Sequence, residues 1–177
     1  MKSMLIPMLA LVSGISLATA ACSKNDETTT TDTTTATDTA TPAAPATAAA
    51  NDHAAQFLTD AIKGDNGEIR MGQAARDMGS SQGVKDFGKM LVDDHTKHKQ
   101  MVSQVAQAMN VPVPSDTTPE ADSAYKMVTG MSGKGFDKDF ISAMIDDHKK
   151  DIDKFQMEAD SGDPAQVTDF AKQSLQK

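Results

Sequence analysis

The sequence predicts an all-α protein, a helical bundle assembled from two similar halves, and two observations support that prediction. From Asn51 to the end of the 177-residue chain, apolar residues recur at the three- and four-residue spacing of amphipathic helices, and no alternating strand pattern competes. Sliding the chain by 83 positions (140 minus 57) also brings seven residues onto identical partners: Phe57, Asp77, Gly79, Val84, Asp86, Phe87 and Lys89. A period this long that occurs only twice indicates a duplicated helical hairpin rather than a solenoid.

Residues 1–22 have the form of an export signal, with an early lysine, an apolar run from Met4 to Leu17 and small residues thereafter. The run is shorter than the ~20 apolar residues of a membrane-spanning helix. Cys22, the only cysteine, follows it, and a membrane-anchoring lipid on its sulfur, as in bacterial lipoproteins, would explain its position. Ala18-Thr19-Ala20 is also an ordinary cleavage site, which would release a soluble protein. Both readings predict a cell-envelope location facing the periplasm.

Residues 23–50 consist almost entirely of Thr, Ala, Asp and Pro and contain no large apolar side chain. Such a segment cannot bury enough surface to offset the entropy of ordering, so it is predicted to be a disordered tether. It would span on the order of 30 Å as a flexible coil and at most ~90 Å when fully extended. That length suits a domain, predicted at residues 51–177, held away from a membrane surface; a loose tail without a lipid is the alternative.

Capping and helix-breaking residues divide residues 51–177 into five predicted helices. Each begins behind a residue that can cap it, or with proline in its first turn. The predicted starts are Asn51, Ser80 or Ser81, Thr118, Asp137 and Asp163-Pro164. The first three helices are predicted to end at about Met78, before Pro112 and at Gly130.

The three long helices each carry an apolar stripe that is predicted to face the core. On the first helix the stripe is Phe57, Leu58, Ala61, Ile62, Ile69 and Gly72. On the second it is Val84, Phe87, Leu91, Val102 and Val105, and on the fourth it is Phe140, Met144, Ile145, Ile152 and Phe155.

Polar side chains interrupt these stripes at corresponding places. On the first helix, Asp65 lies in the centre of the stripe and Glu68 follows one turn later. The 83-residue shift sets His148 of the fourth helix opposite Asp65, and Asp151 opposite Glu68. An unpaired buried carboxylate is costly, and a bound cation would offset that cost.

The second helix contributes the segment LVDDHTKH, at residues 91–98, to the same predicted interior. Asp94 and His98 are predicted to face inward four residues apart, with His95 at the edge of the stripe. The complete set of candidate metal ligands is therefore Glu68, Asp94, His95, His98, His148 and Asp151.

These segments resemble a bacterial family of domains of unknown function, the one numbered 4142. The resemblance covers about residues 51–177 and is most specific in LVDDHTKH, in MIDDHKKD and in the two hairpin turns. It implies a ferritin-like bundle and an exported protein. Ferritin-like proteins hold two metals with Glu and Glu-x-x-His ligands from four helices, and Glu68, His95, His98 and His148 would play such parts, although neither DDH helix contains Glu-x-x-His. The repeat partner of His98 would be residue 181, so the fifth helix offers no obvious ligand for a complete di-metal centre.

Two classes of function follow. The first is an exported domain that binds iron, manganese or zinc, with a role in envelope stress or redox protection; a metal-dependent redox activity is the only enzymatic reading. The second is a metal-free bundle that presents its acidic surface to another, unspecified envelope component. The formal charge of −8 and the lack of a Lys/Arg block argue against nucleic acid as a partner. His53 is predicted to be a surface residue, and the methionines are predicted to fill the core rather than to bind copper(I).

Overall fold

The computed structural model describes residues 45–177, which form five α-helices and, over that range, no strand. The helices are α1 (Pro45–Met78), α2 (Gln82–Ala108), α3 (Pro119–Thr129), α4 (Gly133–Ala159) and α5 (Ala165–Ser174). The predicted all-α bundle is confirmed. The first helix begins at Pro45 rather than at Asn51, inside the segment expected to be a tether. The predicted export signal, Cys22 and the earlier part of the tether lie outside the described residues.

The helices are arranged as two hairpins with α3 between them. α1 pairs with α2, α4 pairs with α5, and α3 packs on both α1 and α4. Within residues 45–177, no helix combines the length and apolar character that crossing a membrane requires.

The backbones of α1 and α2 come into close contact at Gly72 and Gly88. A Cβ atom on Gly72 would lie 2.7 Å from the carbonyl oxygen of Gly88, and one on Gly88 would lie 2.6 Å from that of Gly72. Only glycine permits this approach, because any other residue would force the two backbones apart. The glycine pair therefore helps to set the spacing between the two helices.

Most of the helix ends agree with the capping residues in the sequence. Ser81 accepts a hydrogen bond from the Val84 backbone N–H at the start of α2, and Thr118 caps α3 in the same way. The prediction that Asp137 caps the fourth helix is wrong, because α4 begins four residues earlier, at Gly133. The side chain of Asp137 instead accepts hydrogen bonds from the backbone N–H groups of Ser80 (2.7 Å) and Ser81 (3.0 Å). It thereby ties α4 to the turn between α1 and α2.

The loop between α2 and α3 crosses one side of α1 and is held there by polar contacts. Asn66 donates from its amide to the carbonyl oxygens of Pro114 and Asp116. At the start of α3, Asp122 forms an ion pair of 2.7 Å with Arg70, whose guanidinium also lies 3.7 Å from the centre of the Tyr125 ring. These contacts fix α3 against α1 next to the polar layer described below.

The apolar core consists of two separate clusters. The buried residues of the first cluster, which lies beside α3, are Met71, Ala74, Ala75, Val84, Leu91, Val128, Phe136, Phe140 and Met144. Those of the second cluster, which lies beside α5, are Ala54, Leu58, Ile62, Val102, Ala106, Val167 and Phe170.

The predicted apolar stripe of the fourth helix is wrong at Ile145 and Ile152, which are exposed. α5 is only ten residues long and packs on one end of α4, whereas α2 accompanies α1 over most of its length. Under the 83-residue shift, Ile145 corresponds to Ile62, which is fully buried. Sequence similarity between the two halves therefore does not produce equal burial, because burial depends on the helix that covers each stripe.

Candidate metal centre

A layer of ionisable side chains separates the two apolar clusters and crosses three helices. On α1, Asp65 and Glu68 lie between Ile62 of one cluster and Met71 of the other. The same interruption occurs on α2 between Leu91 and Val102, and on α4 after Met144. Each helix thus places its polar residues at the same level of the bundle.

Asp65 contacts both histidines of α2. Its side chain is buried, and its Oδ1 lies 2.9 Å from Nδ1 of His95. Its Oδ2 lies 2.9 Å from Nδ1 of His98, whose Nε2 is 3.0 Å from the hydroxyl oxygen of Ser174. Both rings are therefore oriented by Asp65, and His98 has contacts at both nitrogens.

The imidazole of His95 bridges the two carboxylates of α1. Its Nδ1 meets Asp65, and its Nε2 contacts Oε2 of Glu68. Burial by itself lowers the pKa of His95, but the hydrogen bonds and negative charges of Asp65 and Glu68 outweigh burial and raise the pKa to about 10. In the metal-free protein at neutral pH, His95 is consequently an imidazolium held between two carboxylates.

Glu68 lies at the centre of the layer and is only 2% exposed. Besides the contact with His95, its Oε1 lies 3.4 Å from Nδ1 of His148, which is itself 2.9 Å from the carbonyl oxygen of Met144. Among residues 45–177, the contacts of the Glu68 oxygens with His95 and His148 lack the geometry of ordinary hydrogen bonds. In the metal-free protein, the compensating partner of this buried carboxylate is the imidazolium of His95.

Two acids of α4 approach Glu68 from the other side. Ligand atoms of Glu68, Asp147 and Asp151 all lie within 4.8 Å of one another. Burial, together with the negative charges of Asp151 and Glu68, raises the pKa of Asp147 to about 6. Lys154 pairs with Asp151 at 2.9 Å, which offsets only part of this concentration of negative charge.

The structure brings together four of the six predicted ligands and separates the other two from them. Glu68, His95 and His148 form one group whose ligand atoms lie within 4.8 Å of one another, and Asp151 belongs to the acidic group that shares Glu68. His98 lies on the other side of Asp65 and is not part of either group.

The prediction that Asp94 faces inward is wrong. Its side chain is 63% exposed and pairs with Lys97 at 3.3 Å. The inward stripe of α2 at this level is Leu91, His95, His98 and Val102. Asp94 lies roughly 70° around the helix from the middle of that stripe, given about 100° per residue, so it points past the interior.

Sequence reasoning did not single out Asp147 as a ligand. It lies one turn before Asp151 on α4, and under the 83-residue shift it meets Gly64, which interrupts the polar series on α1. The available signal was the spacing on α4 itself, since Asp147 precedes Asp151 by one helical turn and therefore lies on the same face.

The residues present fit a divalent transition metal. Imidazole and carboxylate ligands together suit iron, manganese and zinc, whereas calcium and magnesium prefer oxygen alone. Because Glu68 belongs to both groups, its two oxygens could serve neighbouring metal positions. His148 is partly exposed, so the layer is open to solvent on the α4 side.

Comparison with protein families identifies the chain. Residues 39–177 match the family described as Domain of unknown function (DUF4142), and the chain belongs to that family. The match covers all five helices and therefore includes both hairpins and the polar layer. Comparison with curated proteins gave no match, and comparison with solved structures gave none.

Proposed function

We propose that this domain binds a divalent transition metal, iron, manganese or zinc, through Glu68, His95 and His148. The observation that supports the proposal is the buried carboxylate of Glu68, around which ligand atoms of two imidazoles and two further acids lie close together. A cation at this place would balance negative charge that burial otherwise makes unfavourable.

The acidic group of Asp147 and Asp151 would then serve as a second position, or as negative charge that strengthens binding at the first. Asp65 would orient the His95 ring from behind, as carboxylates commonly do for metal-bound histidines. Three protein ligands leave coordination positions for water or a small oxidant.

The test is metal-dependent melting of protein purified without an affinity tag and treated with a chelator. A metal present at a hundred times its dissociation constant stabilises the folded state by ~2.7 kcal/mol, which for a domain of this size raises the melting temperature by on the order of 10 °C. His148→Gln should abolish that rise while leaving metal-free melting nearly unchanged, because His148 is partly exposed and its ordinary hydrogen bond is to its own helix.

Asp94→Asn is the matched control. It removes a carboxylate from the same DDH segment that holds His95, but one that is exposed and points outward. The variant should keep the full metal-dependent rise. No rise in the wild-type protein with any of the three metals, together with no metal after purification, would leave the metal-free interaction bundle as the better proposal.

We further propose that bound iron would serve redox protection. Glu68, His95 and His148 would hold the iron and leave a coordination position for the oxidant. The bound iron would supply the electrons for peroxide reduction, in which two iron(II) ions, two protons and one hydrogen peroxide give two iron(III) ions and two waters. Peroxide consumption by iron-loaded wild-type protein should exceed that of iron-loaded His148→Gln at equal total iron. Equal rates would remove the redox role but not metal binding.

The envelope location is proposed from the sequence of residues 1–22. A lipid on Cys22 would hold the domain at a membrane, since acyl chains contribute ~0.8 kcal/mol per buried CH₂. Cys22→Ala should therefore move the protein from the membrane fraction to the soluble fraction. A wild-type protein that is already soluble and begins at Ala21 would instead support ordinary export.

A further inference from the structure

A second cluster of side chains that could hold a metal lies between the N-terminal part of α1 and the turn from α4 to α5. It joins three separate parts of the chain: His53 on α1, Glu158 near the end of α4 and Asp163 in the following turn. Nδ1 of His53 lies 2.7 Å from Oδ2 of Asp163 and 3.5 Å from Oε2 of Glu158. The nitrogen and one oxygen from each carboxylate thus lie within 4.8 Å of one another.

Glu158 is the residue that an ordinary ion pair does not explain. Its side chain is only 1% exposed, and Oε1 lies 3.3 Å from the hydroxyl of Ser161. Within the described part of the chain, Oε2 has no hydrogen-bond partner and faces His53. The His53–Asp163 contact satisfies one carboxylate, whereas Oε2 of Glu158, which is 3.5 Å from the same nitrogen, stays buried without a hydrogen bond from the described residues.

We propose that His53, Glu158 and Asp163 bind a divalent cation of the zinc class, at a site separate from the central layer. Zinc bonds of about 2.1 Å in tetrahedral geometry place neighbouring ligand atoms roughly 3.4 Å apart. The 3.5 Å between His53 and Glu158 matches that spacing, whereas the 2.7 Å between His53 and Asp163 would have to widen when a cation replaced the proton between them. His53 is 63% exposed, so the outward side is open to water as a further ligand.

The two sites are far enough apart to be tested independently. His53 and Asp65 are twelve residues apart (65 minus 53) on α1, which corresponds to ~18 Å along a helix. A cation at the second site would connect the first hairpin to the second, because His53 belongs to α1 and the two carboxylates belong to the α4–α5 hairpin. Its role is therefore that of a clamp between the hairpins.

The experiment is a zinc titration of chelator-treated protein without an affinity tag, read by calorimetry and by competition with a chromogenic zinc chelator. The wild type should bind two zinc ions per chain, and His53→Gln should bind one. Glu158→Gln should also bind one and, because it replaces a buried charge with a neutral group of similar shape, should remain folded by circular dichroism. Asp52→Asn, which alters an exposed neighbouring acid, should bind two.

Comparison with His148→Gln separates the two sites. If that variant binds one zinc ion that is lost when His53→Gln is added, the second site exists whatever the wild type shows at the central layer. A wild type that binds a single ion, lost in His53→Gln and Glu158→Gln but kept in His148→Gln, would support the clamp and contradict the central centre. Unchanged zinc stoichiometry in both His53→Gln and Glu158→Gln would overturn the clamp and leave the central proposal intact.

Discussion

Alanine at Gly72 tests whether the glycine contact sets the spacing of the first hairpin. In a helix interior, Gly→Ala gains about 1 kcal/mol from helix propensity. At Gly72, however, the new Cβ would lie 2.7 Å from the carbonyl oxygen of Gly88 and 3.1 Å from side-chain atoms of Leu91 and Val92. Backbone atoms cannot rotate away, so relief requires the two helices to separate.

The net effect follows from these opposing contributions. Overpacking costs about 1–3 kcal/mol, and a clash with backbone belongs near the upper end, so Gly72→Ala should lower the free energy of unfolding by about 2 kcal/mol. For the described domain this corresponds to a melting temperature about 8 °C lower. Circular dichroism at 222 nm, in a buffer with chelator, measures that midpoint directly.

Gly64→Ala is the control on the same helix. The nearest atom to its new Cβ is Oδ2 of Asp151, at an ordinary 3.9 Å, so the propensity gain should remain and raise the melting temperature by about 4 °C. The two substitutions should therefore change stability in opposite directions. An increase in both variants would refute the close-contact reasoning and show that the hairpin is looser at Gly72 than described.

Two further predictions concern the polar layer and the corrected stripe of α4. Asp65 and Glu68 raise the pKa of His95 to about 10, above the 6.5 of an ordinary histidine, despite the opposing effect of burial. In chelator-treated protein the stabilisation from His95 should be complete below about pH 6.5 and be lost as the pH rises through about 10. The difference in urea stability between the wild type and His95→Gln should narrow over pH 7–10, and a constant difference would contradict a charged imidazole. Phe140→Ala should lower the free energy of unfolding by about 3–5 kcal/mol because Phe140 is fully buried. Ile145→Ala, at an exposed position, should lower it by less than about 1 kcal/mol. Comparable losses of the two variants in urea unfolding would show that Ile145 is covered in solution.

The fold class was accessible from the sequence because its signals are local. Apolar spacing identifies a helix within a few turns, and residues such as Ser81, Thr118 and Gly130 mark helix ends through their own backbone chemistry. The central layer was accessible for a related reason, since Asp65 and Glu68 interrupt an otherwise apolar stripe. That interruption predicts buried charge wherever the stripe is covered.

The sequence predicted only some of the residues that form the polar layer. Asp94 and Asp147 each neighbour an important histidine in a DDH segment, yet Asp94 points outward and Asp147 points inward. Neighbouring residues differ by about 100° around a helix. A modest error in the assumed facing direction of either helix therefore changes whether a given acid of its DDH segment is predicted to point inward or outward. The facing direction is set by the packing of whole helices against one another.

The sequence by itself determined that this chain forms a bundle of five helices and that ionisable side chains lie within its apolar stripes. Tertiary structure alone decided which of these groups meet. His53 and Glu158 are 105 positions apart (158 minus 53), and no local pattern links them. Ile145 has the same apolar spacing as Ile62 but no covering helix. Periodicity defines a face, whereas the rotation and length of the neighbouring helices determine what that face contacts.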